Sequence, residues 1–300
     1  MTVEAPPGLM EQARAGMRRA AFKRQVEAVV AGTSDRLPID LEDGGFDVAA
    51  VVAEVARHLQ AQSAPLARLV YACRRSGATD AVIAGLASQD PRHLQKCCRI
   101  LGALRLEPAV PWLAPLLRSK RLDVADGAAR ALARIGGVRS AEALFAATRW
   151  GGSRRTLVAA LARAAPDLFI ESLLSGRRRQ GMIGAAAMAA GLRCRHTAVG
   201  PLLGLLNSGT RRQRAISCRA LGWMRARRAI PALAAALTDP DWRVRMAAAK
   251  ALGDLHAQAQ FKELDLLLTD RDPRVRRAAA RSLQRLGNVM LSRDWRWVWR

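Results

Sequence analysis

The chain has 300 residues and a formal net charge of +24, with 49 Lys and Arg against 25 Asp and Glu. Its apolar half is dominated by Ala and Leu, with one Tyr and five Phe, a composition that favours closely packed helices over a sheet-built core. No apolar run approaches the length of a membrane span and the N-terminus lacks a signal-peptide core, so a cytoplasmic location is expected.

Residues 1–46 form the first predicted segment. They hold six basic and seven acidic side chains, so the basic excess falls on the rest of the chain. A basic helix over residues 9–31 carries Arg14, Arg18, Arg19, Lys23 and Arg24 among Met10, Ala13, Met17 and Phe22. An acidic loop with Asp35, Asp40, Glu42 and Asp43 follows. The segment reads as a cap on what comes next, or as an arm that docks on a partner or a membrane surface.

Residues 47–290 are repetitive. The run from Thr238 to Leu252 aligns without gaps with the run from Thr269 to Leu283, an offset of 31. Upstream of Leu252, helix cores are expected at Leu221, Leu192, Leu161, Leu132 and Leu101, in steps of 31, 29, 31, 29 and 31. A weaker copy falls near Val70, which makes about seven to eight repeats. Each unit begins a first helix at a small-apolar-Pro signal, as in Ala229-Ile230-Pro231 and Ala109-Val110-Pro111, where the missing proline N–H does no harm. A polar turn leads to an Asp that caps the second helix, most clearly at Asp90-Pro91 and Asp272-Pro273. That helix places Val244, Ala248, Leu252 and Leu255 on one face. Gly136 and Gly287 stand where such helices end.

The Thr-Asp turn followed by an alanine-rich second helix resembles the HEAT-like repeat of the phycobilisome-lyase type. The resemblance spans residues 63–288. The last two repeats match well and those near residues 90–135 moderately. Between 145 and 225, Ser153, Gly184 and Gln213 stand where Val244 and Val275 would. The resemblance implies an all-α fold: a right-handed α-solenoid, or superhelix, of antiparallel helix-pair repeats of about 31 residues. Architecture of this kind does not assign a function by itself.

Catalytic motifs are sparse. The histidines are His58, His93, His196 and His256, and none precedes a Glu. The His-Glu pairs that hold iron in HEAT-repeat deoxyhypusine hydroxylases are therefore absent. His93 and Cys97 share a helix face at i, i+4, but two ligands do not close a metal site, and His93 aligns with Val244, which predicts a core position. The cysteines Cys73, Cys97, Cys98, Cys194 and Cys218 read as small buried residues in a reducing compartment. HEAT-like DNA glycosylases combine a basic groove with aromatics and a carboxylate; Trp150, Trp223 and Trp242 are the aromatics here, with no local motif around them. Bilin lyase subunits share the repeat, and Cys194 is the thiol to consider for a bilin, with no spacing that demands it. No catalytic residue, metal, cofactor or small-molecule substrate is inferred.

Charge placement is more telling. Arg at a helix start opposes the macrodipole and needs a local reason. In the last two repeats, Asp239, Asp241, Asp270 and Asp272 sit beside Arg243, Arg245, Arg274 and Arg276, which predicts an Asp–Arg ladder between adjacent repeats. In the middle repeats, Arg154, Arg155, Arg177, Arg178, Arg179, Arg211, Arg212 and Arg214 have no Asp or Glu within five residues. These runs precede second helices and are expected to form an unpaired basic edge, the plain alternative being solvated surface. The leading reading is a non-enzymatic scaffold binding an acidic protein through that edge. A nucleic-acid binder gripping phosphates is second, since few aromatics are available for base stacking. A lyase-type or other modifying-enzyme subunit is third, and a membrane surface is not an expected partner.

The tail, residues 291–300, carries Trp295, Trp297 and Trp299, which share one face of an extended segment. They read as a cap on the last repeat or as a partner contact.

Overall fold

The computed structural model describes residues 9–37, 48–149, 154–176 and 180–286. Among these residues there are 17 α-helices and no strand. None of the helices is long and apolar enough to cross a membrane. The chain divides into two compact units, Met1–Ala160 and Leu161–Arg300.

The first unit opens with α1 (Leu9–Ala31), α2 (Val48–Arg57) and α3 (Ala64–Arg75). Helix α1 buries Phe22, Val26 and Val29 and packs against α2 and α3. Part of its charge is neutralised there: Arg19 and Lys23 both donate to Glu54, at 2.8 and 2.6 Å. Arg68 of α3 donates through Nε and Nη2 to the Val30 carbonyl, at 3.1 and 2.6 Å. Helix pairs follow, α4 (Ala78–Ala84) with α5 (Pro91–Ala103) and α6 (Val110–Leu116) with α7 (Leu122–Ile135); then come α8 (Gly137–Ala147), packed against α6 and α7, and α9 (Arg154–Ala164). The second helices stack side by side, α5 on α7. The place beside α5 on its other side is taken by α2, while α3, which carries Val70, packs against α1 and α4. The unit boundary runs through α9.

The second unit contains α10 (Asp167–Ser175) with α11 (Gln180–Leu192), α12 (Val199–Ser208) with α13 (Arg211–Trp223), α14 (Ile230–Ala235) with α15 (Trp242–Asp254), and α16 (Phe261–Leu266) with α17 (Pro273–Arg285). Helix α11 packs on α13, α13 on α15 and α15 on α17. The expected helix starts are in place. Asp241 and Asp272 accept the N–H groups of Arg243 and Arg274, each at 2.8 Å, and in the first unit Asp90 accepts those of Arg92 and His93. Such caps satisfy donors that the helix itself leaves unpaired.

The repeat register differs from the expected one at one position. Leu192 is 50% exposed, whereas Ala190 is fully buried in the row of Leu161, Leu221, Leu252 and Leu283. The core therefore runs through Ala190. The helix ends establish the same register. The N–H groups of Arg195, Ala226 and Ala257 bond back to Ala190, Leu221 and Leu252, and those of Cys194, Arg225 and His256 to Gly191, Gly222 and Gly253. This paired closure is the Schellman motif. In the first unit, Leu106 and Arg105 close α5 onto Leu101 and Gly102 in the same way. The left-handed residue of the motif is Arg105, Cys194, Arg225 or His256, with φ near +50°. At the corresponding point of α7 stands Gly136, with φ +73° and ψ −171°, whose N–H bonds back to the Leu132 carbonyl without the second bond of the motif among the described residues.

Adjacent second helices approach closely. A Cβ added at Gly222 would lie 2.9 Å from the Ala251 Cα, and one at Gly253 would lie 2.9 Å from the Ser282 Cα. The buried Ser282 hydroxyl is satisfied by the Ala249 carbonyl at 2.8 Å. Small residues thus bring the second helices of the second unit into tight register, and what remains exposed on them is a defined face.

Candidate binding surface

The turn before each second helix holds the acids. Arg214 donates Nε and Nη2 to Asp239 at 2.6 and 2.9 Å, and Arg245 does the same to Asp270 at 2.7 and 2.9 Å. Burial alone would raise both carboxyl pKa values; the arginine hydrogen bonds, the backbone N–H two residues on and the nearby positive charge outweigh it and hold both below the ordinary Asp value. Arg214 was expected to be unpaired. It is instead a rung of the ladder, because its acid arrives from the next repeat, 25 residues on. Asp241 and Asp272 serve as caps.

The remaining cations fall in rows on the exposed face of α13, α15 and α17. Arg212, Arg243 and Arg274 share one register, and Arg219, Lys250 and Arg281 another, two helical turns on. All six are exposed. Arg243 and Arg274 flank the Trp242 ring, each 4.5 Å from its centroid, a cation–π arrangement that fixes both heads. Arg211, Arg212 and Arg219 meet no carboxylate among the described residues. Lys250 has its pKa lowered, first by partial desolvation and then by the charges of Arg219 and Arg281. Asp254, at the far end of α15, is bound by Arg285.

An apolar window adjoins these rows. Trp223 is exposed beside Leu192, and Gly191 makes room for the indole, since a Cβ there would lie 3.0 Å from ring atom Cε3. Trp223, Arg225, Asp254, His256 and Arg285 line a recess at the helix ends. Arg225, Arg227 and Arg228 are exposed on that edge.

Of the arginines singled out in sequence, Arg211 and Arg212 lie at the start of α13 and are exposed. Arg155, also exposed, lies at the start of α9 in the first unit. The side chain of Arg154, together with Arg177, Arg178, Arg179, Trp150 and the tail with Trp295, Trp297 and Trp299, lies outside the described residues. The row of Arg219, Lys250 and Arg281 was not anticipated. Its signal was available as a cation recurring every 31 residues seven positions after Arg212, Arg243 and Arg274.

His93 is exposed, not in the core. Leu94 takes the buried place, and the imidazole lies over Gly85, which has no side chain to displace it. Cys73, Cys98 and Cys218 are buried, which pushes each thiol up to about 12. Cys194 is exposed. Among the described residues no three His, Cys, Asp or Glu side chains are grouped as metal ligands would be.

A family profile described as HEAT repeats matches residues 79–165, 169–253 and 199–284. No curated protein matches the chain in sequence. Among solved structures, a Kap121p mutant is similar at 15% identity and a TM-score of 0.54, over 95% of this chain and 38% of that one. Human deoxyhypusine hydroxylase in complex with glycerol is similar at 19% identity and a TM-score of 0.37, over 90% of this chain and 98% of that one. A designed armadillo repeat protein is similar at 18% identity and a TM-score of 0.37, over 69% of this chain and 98% of that one. At such identities the likeness to Kap121p bears on the fold alone.

Proposed function

Because the chain belongs to the HEAT-repeat family, we propose that it is a non-enzymatic scaffold whose second unit binds an acidic protein on the exposed face of α13, α15 and α17. The carrying observation is the repetition of cations at one register in three successive helices, Arg212, Arg243 and Arg274 with Arg219, Lys250 and Arg281. Like charges so arranged repel one another; the pKa of Lys250 is lowered first by partial desolvation and then by the charges of Arg219 and Arg281. A partner carrying carboxylates relieves that repulsion, while the acids Asp239 and Asp270 are already engaged. Arg211 extends this surface along the turn edge. Arg154 and Arg155 offer a separate basic turn in the first unit, and Arg177, Arg178 and Arg179 belong to the same proposal on sequence grounds. Within the family, the 31-residue unit favours the phycobilisome-lyase type of repeat. We place the scaffold in the cytoplasm on its five unpaired cysteines.

The test uses polyglutamate and a mixed-sequence DNA duplex as probes, with the full chain and its Arg212→Glu/Arg219→Glu/Lys250→Glu variant. Polyglutamate should bind, and the variant should lose that binding while melting like the parent. Binding that favours the duplex, with a salt slope of about 0.9 per contacted phosphate, would move the assignment to nucleic acid. Equal binding by parent and variant would remove this face from consideration.

A further inference from the structure

Helices α5, α7, α13, α15 and α17 each carry an exposed cation at one register, two residues before a fully buried leucine: Arg99, Arg130, Arg219, Lys250 and Arg281. One of the five is lysine. The chain holds few lysines, Lys23, Lys96, Lys120, Lys250 and Lys262, and at this register lysine adds no charge that arginine would not. It differs in one respect: it can lose its proton near neutral pH and become a nucleophile. The surroundings of Lys250 favour that loss. The close approach of Gly222 to Ala251 and of Gly253 to Ser282 keeps α13, α15 and α17 together. Arg219 acts on Lys250 from α13, and Arg281 and Arg285 act on it from α17. Asp254, on its own helix, is bound by Arg285. Partial desolvation first, then the charges of Arg219 and Arg281, hold the amine pKa below the ordinary lysine value. Lys23 is the opposite case: it donates to Glu54 at 2.6 Å, and that bond raises its pKa.

We propose that Lys250 is an acylation site that takes its acyl group from an acyl phosphate. The row supplies both parts of the reaction. A guanidinium binds phosphate oxygens well, so Arg219 holds the phosphate end of the donor beside the amine, and Arg281 adds positive charge from the other side. The neutral Nζ attacks the carbonyl carbon and forms the N–C bond. The C–O bond to phosphate breaks, phosphate leaves with the electron pair, and the amine proton passes to solvent. The product is an uncharged amide, so acylation removes the central charge of the row. The effect of that loss on an acidic partner rests on the docking reading above; the acylation itself does not.

The probe is acetyl phosphate, added to the full chain near neutral pH. Mass spectrometry of proteolytic fragments gives the acetylation rate at each lysine. Lys250 should react roughly tenfold faster than Lys23, as expected for an amine of lowered pKa beside a bound donor. It should also outpace Lys96, Lys120 and Lys262, which are exposed. Inorganic phosphate at constant ionic strength should slow Lys250 and leave Lys262 unchanged. With the uncharged N-hydroxysuccinimide ester of acetic acid as donor, phosphate should have no effect at Lys250. Arg219→Gln should slow the reaction with acetyl phosphate more than that with the ester, while melting like the parent. The proposal is overturned if Lys250 reacts no faster than Lys262, or if inorganic phosphate leaves its rate with acetyl phosphate unchanged. Polyglutamate binding is read separately. Lys250→Gln, which mimics the amide, should bind it more weakly than the parent. A parent that does not bind polyglutamate at all would remove the docking reading, and the acetylation rates would still decide the site.

Discussion

Arg245 and Asp270 join neighbouring repeats through two hydrogen bonds, 2.7 Å from Nε and 2.9 Å from Nη2. Their side chains are only 15% and 7% exposed. The Arg214–Asp239 pair has the same form, at 22% and 10%. A fork so shielded from water is stronger than a surface ion pair, and removing one member leaves the other charge without compensation. Arg212, two residues before Arg214, has no such partner. Arg214→Glu should therefore lower unfolding stability by about 2–4 kcal/mol, and Arg212→Glu by under about 0.5 kcal/mol. Urea unfolding of the two variants decides between them. Equal effects would mean that the ladder does not stabilise the second unit.

The same pairs make stability depend on acid. Asp239 and Asp270 have folded pKa values held below the ordinary Asp value, which is about 3.9 in an unfolded chain. Above that pH both states are ionised, and the contribution of the pairs is complete. As pH falls below it, the unfolded chain takes up protons first and the contribution fades toward the folded pKa values. An Asp239→Asn/Asp270→Asn variant should be less stable than the parent at pH 7 and lose less on acidification. The two stability curves should converge as pH falls below about 4, the ordinary Asp range. Parallel curves would show that these carboxylates do not drive acid unfolding.

Much of this was written in local sequence. The Asp-Pro caps, the proline-initiated first helices and the 31-residue offset are short-range signals, and the helices form where those signals stand. Two failures have one physical origin. Leu192 was assigned to the core by stepping the leucine repeat along the chain, yet the stack closes on the fully buried Ala190, which shows only once the helices are packed. Arg214 looked unpaired because its acid lies 25 residues on, a separation that matters only once repeats are stacked. The left-handed positions escaped notice for a different reason. Arg105, Cys194, Arg225 and His256 are not glycines, so composition does not mark them. The basic face required reading the second helices against each other at fixed register, not one run at a time.

Close packing of second helices gives a contrast between two glycines. Alanine is the better helix former by about 1 kcal/mol. At Gly127 in α7 an added Cβ would meet Gln95 and Cys98 at 3.8 and 3.9 Å, ordinary contact distances. Gly127→Ala should stabilise the protein by about 0.5–1 kcal/mol. At Gly222 the Cβ would stand 2.9 Å from both the Cα and the Cβ of Ala251. That clash falls on a helix backbone that cannot yield without moving α15 from α13. Gly222→Ala should destabilise by about 1–3 kcal/mol, the usual range for overpacking. Thermal melts check both signs, and a stabilising Gly222→Ala would show that the second helices are not in such tight contact.

The Schellman turns supply the last prediction. Arg105 and Arg225 have φ of +51° and +50°, where a Cβ crowds the following carbonyl at a cost of about 1–2 kcal/mol. Both side chains are exposed, so their loss removes little packing. Glycine relieves the crowding but increases the entropy of the unfolded chain. The net change for Arg105→Gly or Arg225→Gly should be a gain of about 0.5–1 kcal/mol. Valine at the same positions keeps the crowding and adds branching at Cβ, so it should cost at least about 1 kcal/mol. Because Arg105 lies in the first unit and Arg225 in the second, each tests the turn in a separate structural setting. Melts in which glycine and valine act alike at both positions would mean that the left-handed conformation is not what these residues maintain in solution.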